Sequence, residues 1–561
     1  MSKIDGKYLR SNDIESSIAR AFMQGAGFKE VDMRKKPVIG ICNSWSELNP
    51  CNMNLQHIAQ YVKKGIEEAG GIPVEFPTIS IHEQINNPSS LLLRNLMTMD
   101  VEEMINRSPI DGVVLLNGCD KTVPAQLMGA ISAGKPMISV PAGPRGTSMC
   151  GGKPITIHSL WEQKEKRQKD EINDHDWDAY MSKLIPTPGT CNVMGTASTM
   201  AAIVEALGLS IPGTAFYETM SNEREEASIA TGRLAVEVVR ENRTPDQFVT
   251  LKSLENAYRV VSALGGSTNG IIHLEAIAGR VGLHLGIERL KEWSETTPHL
   301  VAVSPSGAYS LQDFIEVGGI PALMKHLQSF IHQDSVVITG EKWNDVLADI
   351  EIKASSVLHT MEQPINEDGG IAILKGSLAP TGAVFKRSAV PEKYWIHRGP
   401  ALVFDGMKEM NAKINDPELP VDENSVIILR GIGPVGAPGM PETAKVPIPK
   451  KLWEQGVTNM VRISDGRMSG TADGAVVLHV TPEAAVGGPI AFVENGDMIE
   501  LDAVKGLLNV CISEEQLQER KANFVTKQGA KRGYEWLYHQ HVMQADKGAD
   551  FDFLTKNGRE N

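Results

Sequence analysis

The sequence predicts an α/β protein in two parts: a parallel-sheet α/β domain over residues 1–370, and a β-rich, barrel-like domain over residues 371–561 that ends in a helical tail. Three observations carry that expectation. At 561 residues the chain is too long for one compact core, so at least two domains are expected. In the first part, short apolar runs alternate with helical patterns, which implies right-handed crossovers and a parallel sheet covered on both faces. Beyond residue 370 the texture changes to short β-like runs broken by Gly and Pro, as in β-rich domains.

The elements follow in order. KPVIGIC (36–42) reads as a strand, NLQHIAQYVKKGIEEAGG (54–71) as a helix closed by Gly70 and Gly71, and IPVEFPTISI (72–81) as a second strand. The unit then repeats. SSLLLRNLMTMDVEEMINRS is helical, IDGVVLLNGC a strand, TVPAQLMGAISAG a helix and KPMISVPAG another strand. In such sheets ligands bind beyond the carboxyl ends of the strands, which here carry Cys42, the stretch Ser80 to Glu83, Cys119 to Lys121, and Ala142 to Gly146. In the second part GGIAILKGSLAPTGAVF, SVIILRGIGPVGAPGMPE and DGAVVLHVTPEAAVGGPIAFVENGDMIELD supply the β-like runs, and a helical tail is expected near 514–545.

Composition narrows the partners. The net charge is −14 with acids and bases interspersed, and no basic face is visible for phosphate binding, so a small-molecule substrate is expected and no nucleic acid. The opening MSKIDGKYLRSNDIESS has no apolar core of signal-peptide length, and no run of about 18 apolar residues exists for a membrane span. A cytoplasmic location without membrane association is the expectation. Six cysteines are too few for a disulfide scaffold, so any special cysteine is a metal ligand or a nucleophile.

Cys51 (ELNPCNMNL), Cys119 (NGCDK) and Cys191 (TPGTCNVMG) each stand shortly before an expected helix, where a thiol is made more acidic. Cys42, Cys150 and Cys511 are read as small buried hydrophobes. The first three lie 68 and then 72 residues apart, without zinc-finger spacing. Three thiolates with no fourth partner make a poor closed structural site and a good open catalytic one, such as an iron-sulfur cluster with one unprotected iron. Asp120 and Lys121 belong to other chemistry, since carboxylate oxygen prefers Mg²⁺ and thiolate prefers softer metals. Lys121 is either an ion-pair partner of Asp120 or an amine that must be deprotonated or modified to join a cation.

In the second part, Glu442 sits in a rigid Gly-Pro loop (APGMPE), and Ser469 with Thr471 lies in the small-residue loop RISDGRMSGTADG. No Gly-x-Ser-x-Gly elbow is present, so acyl transfer is poorly supported. GIGPVG (431–436) matches a dinucleotide fingerprint, but Pro438, Gly439 and Pro441 follow it, leaving no helix N-terminus for a pyrophosphate. GTSMCGGKP lacks the spacing of a phosphate loop.

NPCN, NGCDKTVPA, TCNVMGTASTM, GGSTNGIIHL, LKGSLAPTGAV, GMPE, and DGRMSGT followed by VVLHVTPEAAVGGPIA occur in this order over nearly the whole chain. Together they resemble the dihydroxy-acid and sugar-acid dehydratase family. The resemblance implies a hydro-lyase that converts a 2,3-dihydroxy acid to a 2-keto-3-deoxy acid. It further implies an iron-sulfur cluster on Cys51, Cys119 and Cys191, and a Mg²⁺ site formed by Glu83, Asp120, Glu442 and Lys121, the lysine as a carbamate. Ser469 matches the family's alkoxide base, with Thr471 assisting, and a homodimer or homotetramer is implied.

TCNVMGTAST looks more like the sugar-acid branch, which favours a 2Fe-2S cluster and an aldonate such as arabinonate or xylonate. The alternative is 2,3-dihydroxy-isovalerate, the branched-chain acid. A polyol tail needs hydrogen-bonding side chains, for which Ser198, Thr199, Ser267, Thr268 and Asn269 are candidates, although such residues serve as often as helix caps. Rival classes are a nicotinamide oxidoreductase and a cluster-bearing sensor. His57, His82, His273, His479, His539 and His541 show no ligand spacing and are read as structural.

Overall fold

Residues 5–558, apart from 354, 443–445, 523, 527 and 528, are described by a computed structural model. Strands β1 (Val38–Asn43), β2 (Ile72–Pro77), β3 (Gly112–Asn117) and β4 (Met137–Pro141) form a parallel sheet in the order β2-β1-β3-β4. Every residue of β1, β3 and β4 is buried, which is why each reads as an unbroken apolar run and not as an alternation. The register sets Asn43 beside Pro77 and Leu116, and Asn117 beside Pro141. The four carboxyl ends are therefore level, and the loops bearing Cys51, Glu83 and Cys119 to Lys121 leave from one edge.

Helices Leu55–Glu68, Leu91–Arg107 and Thr122–Ala133 make the crossovers. The first crosses helix Asn222–Arg240 with backbones touching: a Cβ on Gly65 would stand 2.0 Å from the Ile229 carbonyl oxygen, and one on Gly232 would stand 2.2 Å from that of Val62. A short hairpin, β5 (Met149–Cys150) with β6 (Lys153–Pro154), leads into helices Ile157–Gln168 and Asp174–Met181.

The remaining strands are β7 (Ala372–Leu374), β8 (Gly382–Phe385), β9 (Ile396–Asp405), β10 (Val426–Arg430), β11 (Arg462–Ser464), β12 (Val476–Thr481), β13 (Met498–Asp502) and β14 (Leu507–Val510). They join in one mixed sheet, ordered β14-β13-β9-β10-β11-β12-β8-β7. β9 to β12 run parallel, and the flanking pairs are antiparallel. The two edges nearly close into a barrel, because Lys375 donates from its amide to the Gly506 carbonyl (2.9 Å) and accepts from the Leu508 amide (3.1 Å). Residues of β10 alternate as the period of two requires. Val426 and Ile428 pack inward with Phe385, Ile463, Val477 and Ile499, while Ile427 and Leu429 pack outward against Phe404, Met410 and Leu452.

The tail forms helices Glu514–Ala522 and Gly533–His541, with positions 523, 527 and 528 of the expected stretch outside the described residues. No helix of the described residues is long and apolar enough to cross a membrane. Two cysteines depart from expectation. Cys42 is buried in the core, but Cys150 and Cys511 are exposed, because one sits at a hairpin tip before Gly151 and Gly152 and the other just follows the edge strand β14.

Glu205, near the end of helix Thr196–Ala206, accepts hydrogen bonds from the Gly213 amide (2.7 Å) and the Ala215 amide (2.8 Å). Burial nevertheless pushes its carboxyl up to about 7. The folded chain then holds a proton that the unfolded chain has already lost, so stability falls as pH rises from the ordinary carboxylate range through about 7. Relative to Glu205→Gln, the wild type is expected to lose melting temperature between pH 5 and pH 8; thermal unfolding of both at stepped pH checks this. Gly65→Ala is expected to lower the melting temperature by a few degrees, since overpacking costs roughly 1–3 kcal/mol and the opposing group is backbone. Gly25→Ala, with nothing within 4 Å of the added carbon, is the neutral control.

Candidate active site

The three loops that carry Cys51, Cys119 and Cys191 are tied to one another by backbone and amide contacts. The Asn52 side chain accepts from the Cys119 amide (2.8 Å) and donates to the Ser44 carbonyl (3.0 Å), while the Gly189 amide donates to the Pro50 carbonyl (3.1 Å). Gly118 has no room for a side chain: a Cβ there would lie 2.9 Å from both Asn52 Oδ1 and the Cys51 carbonyl oxygen. Helix Thr122–Ala133 begins from Cys119, whose carbonyl accepts from the amides of Thr122 and Val123.

The thiols are not equally acidic. The hydrogen bond from Cys119 holds Cys51 down to about 5, against burial and with help from His82. The same hydrogen bond and burial push Cys119 well up, and burial lifts Cys191 to about 11. Nearness to helix N-termini was expected to acidify all three; only Cys51 is acidified, since at Cys119 the hydrogen bond to Cys51 together with burial outweighs the helix, and at Cys191 burial does. The buried Arg145 guanidinium acts electrostatically on both Cys51 and Cys191.

Beside the thiols lies a separate oxygen site. One ligand oxygen from each of Glu83, Asp120 and Glu442 lies within 4.8 Å of the others. Among the described residues this is the metal-competent group at that spacing, and the cysteines are not part of it. Asp120 joins the two sets, since the Cys119 thiol donates to its Oδ1 (3.2 Å).

Lys121 Nζ, fully buried, is 2.5 Å from Asp120, 3.6 Å from Glu83 and 3.9 Å from Glu442. Burial and Arg467 act to strip its proton, but the three carboxylates prevail and hold its pKa above the usual lysine value. The ammonium thus stands among the oxygens in a cation's place. Arg467, also fully buried, bridges from the other side: Nη2 donates to Glu83 Oε1 (2.9 Å) and to Ser89 Oγ (2.7 Å), and Nη1 to Glu442 Oε1. Burial works to raise Glu83, yet Arg467, Lys121 and the Ser90 hydroxyl bring it down to about 2. At Glu442 burial wins, and the carboxyl is raised.

Residues 437–442, directly after the GIGPVG loop, form turns and no helix, as Pro438 and Pro441 require. The amides of that loop hold carboxylates of the same chain: Gly431 and Ile432 donate to Asp465 (2.9 and 3.0 Å), and Val435 and Gly436 donate to Glu483 (2.9 and 2.8 Å). Two residues beyond Asp465 comes Arg467, then the loop with Ser469 and Thr471. Ser469 Oγ is 2.9 Å from Thr471 Oγ1 and accepts from the Thr471 amide (3.4 Å). This loop rests on the start of helix Thr196–Ala206. A Cβ on Gly470 would be 2.6 Å from Ser267 Oγ and 2.9 Å from the Thr196 amide nitrogen.

The polyol-binding candidates separate on their contacts. Ser198 donates to the Val193 carbonyl (2.9 Å). Thr199 donates to the Gly195 carbonyl (2.8 Å) and accepts from the Ser267 amide (2.9 Å). Ser267 Oγ lies 2.8 Å from Thr196 Oγ1, and Thr268 precedes helix Asn269–Arg280 without capping it through its side chain. The hydroxyls of Ser198, Thr199 and Ser267 therefore brace the loops from within. Asn269 alone of the five reaches the carboxylates, donating to Glu442 Oε1 (3.0 Å) and to the Met468 carbonyl (3.3 Å).

Sequence reasoning missed Arg467, Ser89, Ser90, Arg145, His158 and Trp161. Arg467 lay inside the DGRMSGT motif, where its neighbours drew the attention. His82, read as structural, is a hydrogen-bond partner of Cys51.

The two parts of the chain thus bring together an acidic site that could hold a metal ion, three cysteine loops and a paired-hydroxyl loop. Residues 36–346 match the dihydroxy-acid/6-phosphogluconate dehydratase N-terminal family, and residues 356–549 match its C-terminal counterpart. The chain belongs to the dihydroxy-acid/6-phosphogluconate dehydratase family and is a hydro-lyase. It is 43% identical to an L-arabonate dehydratase of Azospirillum brasilense, an alignment covering 98% of this chain and 96% of that one. It is 40% identical to a 6-deoxy-6-sulfo-D-gluconate dehydratase of Pseudomonas putida (98% and 96% covered). A dihydroxy-acid dehydratase of Methanosarcina barkeri is 37% identical (95% and 97% covered).

Arg467→Lys keeps the charge and removes the fork that spaces Glu83 and Glu442. It is expected to weaken Mg²⁺ or Mn²⁺ binding roughly 10- to 100-fold, measured by Mn²⁺ titration followed by electron paramagnetic resonance.

Proposed function

We propose that the protein removes water from a 2,3-dihydroxy sugar acid, an aldonate such as L-arabinonate or xylonate, to give the 2-keto-3-deoxy acid, using a 2Fe-2S cluster and Mg²⁺. The observation that carries this reading is the adjacency of Cys119 and Asp120, which places a soft and a hard ligand set side by side, with the hydroxyl pair Ser469 and Thr471 in the neighbouring loop. Cys51, Cys119 and Cys191 would hold the cluster, and Glu83, Asp120, Glu442 and a carbamylated Lys121 the Mg²⁺. When bound, the two centres supply Lewis acidity toward the carboxylate, the 2-hydroxyl and the departing 3-hydroxyl.

The chain's own groups do the rest. Ser469 takes the C2 proton, and its oxygen is stabilised by the Thr471 amide and hydroxyl and by the nearby start of helix Thr196–Ala206, whose dipole favours negative charge. The C2 electron pair forms the C2–C3 double bond as the 3-hydroxyl leaves as hydroxide, the proton taken by Ser469 passes to it to give water and restore the serine base, and the resulting enol tautomerises to the keto acid. Carbamylation turns Lys121 from an ammonium among three carboxylates into a fourth anionic donor, which makes room for a divalent cation. The sugar-acid preference rests on the TCNVMGTAST motif and on the two relatives named for sugar acids, which are more similar than the dihydroxy-acid dehydratase cited above.

Anaerobically purified protein is expected to be brown, with about two irons per chain, and to release 2-keto acid from L-arabinonate or xylonate faster than from 2,3-dihydroxy-isovalerate. Cys119→Ser is expected to lose colour and activity together. Ser469→Ala is expected to keep the colour and lose 10²- to 10⁴-fold in kcat, about the range of a general base. A colourless, fully active wild type would refute the cluster, and the acid panel decides the substrate branch.

A further inference from the structure

We infer that Trp161 is a positioning residue that orients the Thr471 hydroxyl toward Ser469; the inference rests on the reading of Ser469 as the base. Trp161 belongs to the segment that rises from the β5–β6 hairpin. Helix Ile157–Gln168 is closed at its start by a capping box between Thr156 and Ser159, and Ser159 Oγ lies 2.9 Å from the Tyr180 hydroxyl. Ile155, Tyr180 and Leu184 pack together with Ile157 and Leu160, a small core apart from the main one. The segment is therefore a built unit with its own packing.

That unit reaches across to the second domain. The Trp161 indole Nε1–H donates to Thr471 Oγ1 (3.1 Å). His158, three residues earlier and so on the same helix face, places Nδ1 3.1 Å from the Thr471 carbonyl oxygen. Lys169 Nζ stands 3.8 Å from the centre of the Trp453 ring. The Trp161 and His158 contacts thus both fall on Thr471.

Proton bookkeeping gives the contact its meaning. An indole nitrogen only donates, and a hydroxyl has one proton and two lone pairs. Thr471 Oγ1 accepts from Trp161, and its remaining side-chain partner among the described residues is Ser469 Oγ. With one lone pair of Oγ1 held by the indole, the Thr471 proton is turned in the inferred arrangement toward Ser469 Oγ, 2.9 Å away, so that Ser469 receives two donors, this hydroxyl and the Thr471 amide. Two donors on one serine oxygen favour its deprotonated form. Without the indole N–H, the Thr471 hydroxyl can turn and accept from Ser469, which favours the protonated serine.

The test compares Trp161→Phe, Thr471→Val, their double variant and Ser469→Ala on whichever acid the panel turns over fastest, L-arabinonate being tried first. Trp161→Phe is expected to lower kcat 10- to 100-fold with KM within about twofold, to move the rising limb of the kcat pH profile upward, and to leave iron and Mg²⁺ content unchanged. The double variant is expected to be no worse than Thr471→Val alone, because the indole acts through that hydroxyl. If Ser469→Ala is inactive while Trp161→Phe keeps the wild-type kcat and pH profile, the inference fails and the base assignment stands. Multiplying losses in the double variant overturn it too, since they assign Trp161 a separate structural effect. An active Ser469→Ala removes the base assignment itself, and with it this role for Trp161.

Discussion

Arg467 crosses from the second domain to lay its guanidinium between Glu83, from the loop after β2, and Glu442, from the loop after β10. Its side chain has no solvent exposure, and a charge in such a place is tolerable only when paired and hydrogen-bonded on several sides. Glu83, Glu442 and Ser89 supply that pairing. The two domains are thus locked at the point where the chemistry is assembled, and removing any one partner would strand a buried charge. The carboxylates gain from the same contact: a fork of fixed shape spaces two of the three acidic groups whose oxygens could hold a metal ion.

A site of this kind needs rigid loops, and the chain makes them from its own acids. Asp465 and Glu483 accept from the amides of the 431–436 loop and tie it to the rest of the second part. Asp465 is buried, and burial raises its carboxyl despite three backbone donors. Since Asp465 also anchors the loop that leads to Arg467 and Ser469, one carboxylate fixes the approach to Glu442 and the departure toward the hydroxyl pair. A motif that imitates a dinucleotide fingerprint serves here as an internal brace.

Much of this was legible in the sequence because it depends on local pattern. Continuous apolar runs announced the buried parallel strands, and the change to Gly- and Pro-broken runs announced the second sheet. The adjacency of Cys119 and Asp120, and the carboxyl-end placement of Glu83, followed from strand order alone. What was not legible depends on contacts between segments far apart in the chain. Ser198, Thr199 and Ser267 were candidates for a polyol tail or for helix caps, and their partners, the Val193 and Gly195 carbonyls and the Thr196 hydroxyl, come from the fold of the segment after Cys191. Trp161 belongs to no pattern, and its partner Thr471 lies 310 residues away. The exposed Cys150 and Cys511 show the converse error, in which composition suggested burial and the geometry of a hairpin tip and a sheet edge denied it.

Glycines stand where the loops of the site approach one another most closely. Gly118 lets the Cys119 loop approach the Cys51 turn, and Gly195 and Gly470 let the Ser469 loop settle on the helix after Cys191; a Cβ at any of the three would fall within 3.0 Å of a neighbour. The neighbours are short side chains and backbone atoms (Ala142, Asn52 and the Cys51 carbonyl at Gly118, Thr471 at Gly195, Ser267 and the Thr196 amide at Gly470), so the loops meet with little slack between them. Interiors packed at that closeness transmit displacement instead of absorbing it. A methyl group at Gly470 would press on Ser267 and the Thr196 amide, and so move Ser469 relative to the carboxylates without altering any residue that does chemistry. The precision of this active site therefore resides as much in the absence of side chains as in the groups that react.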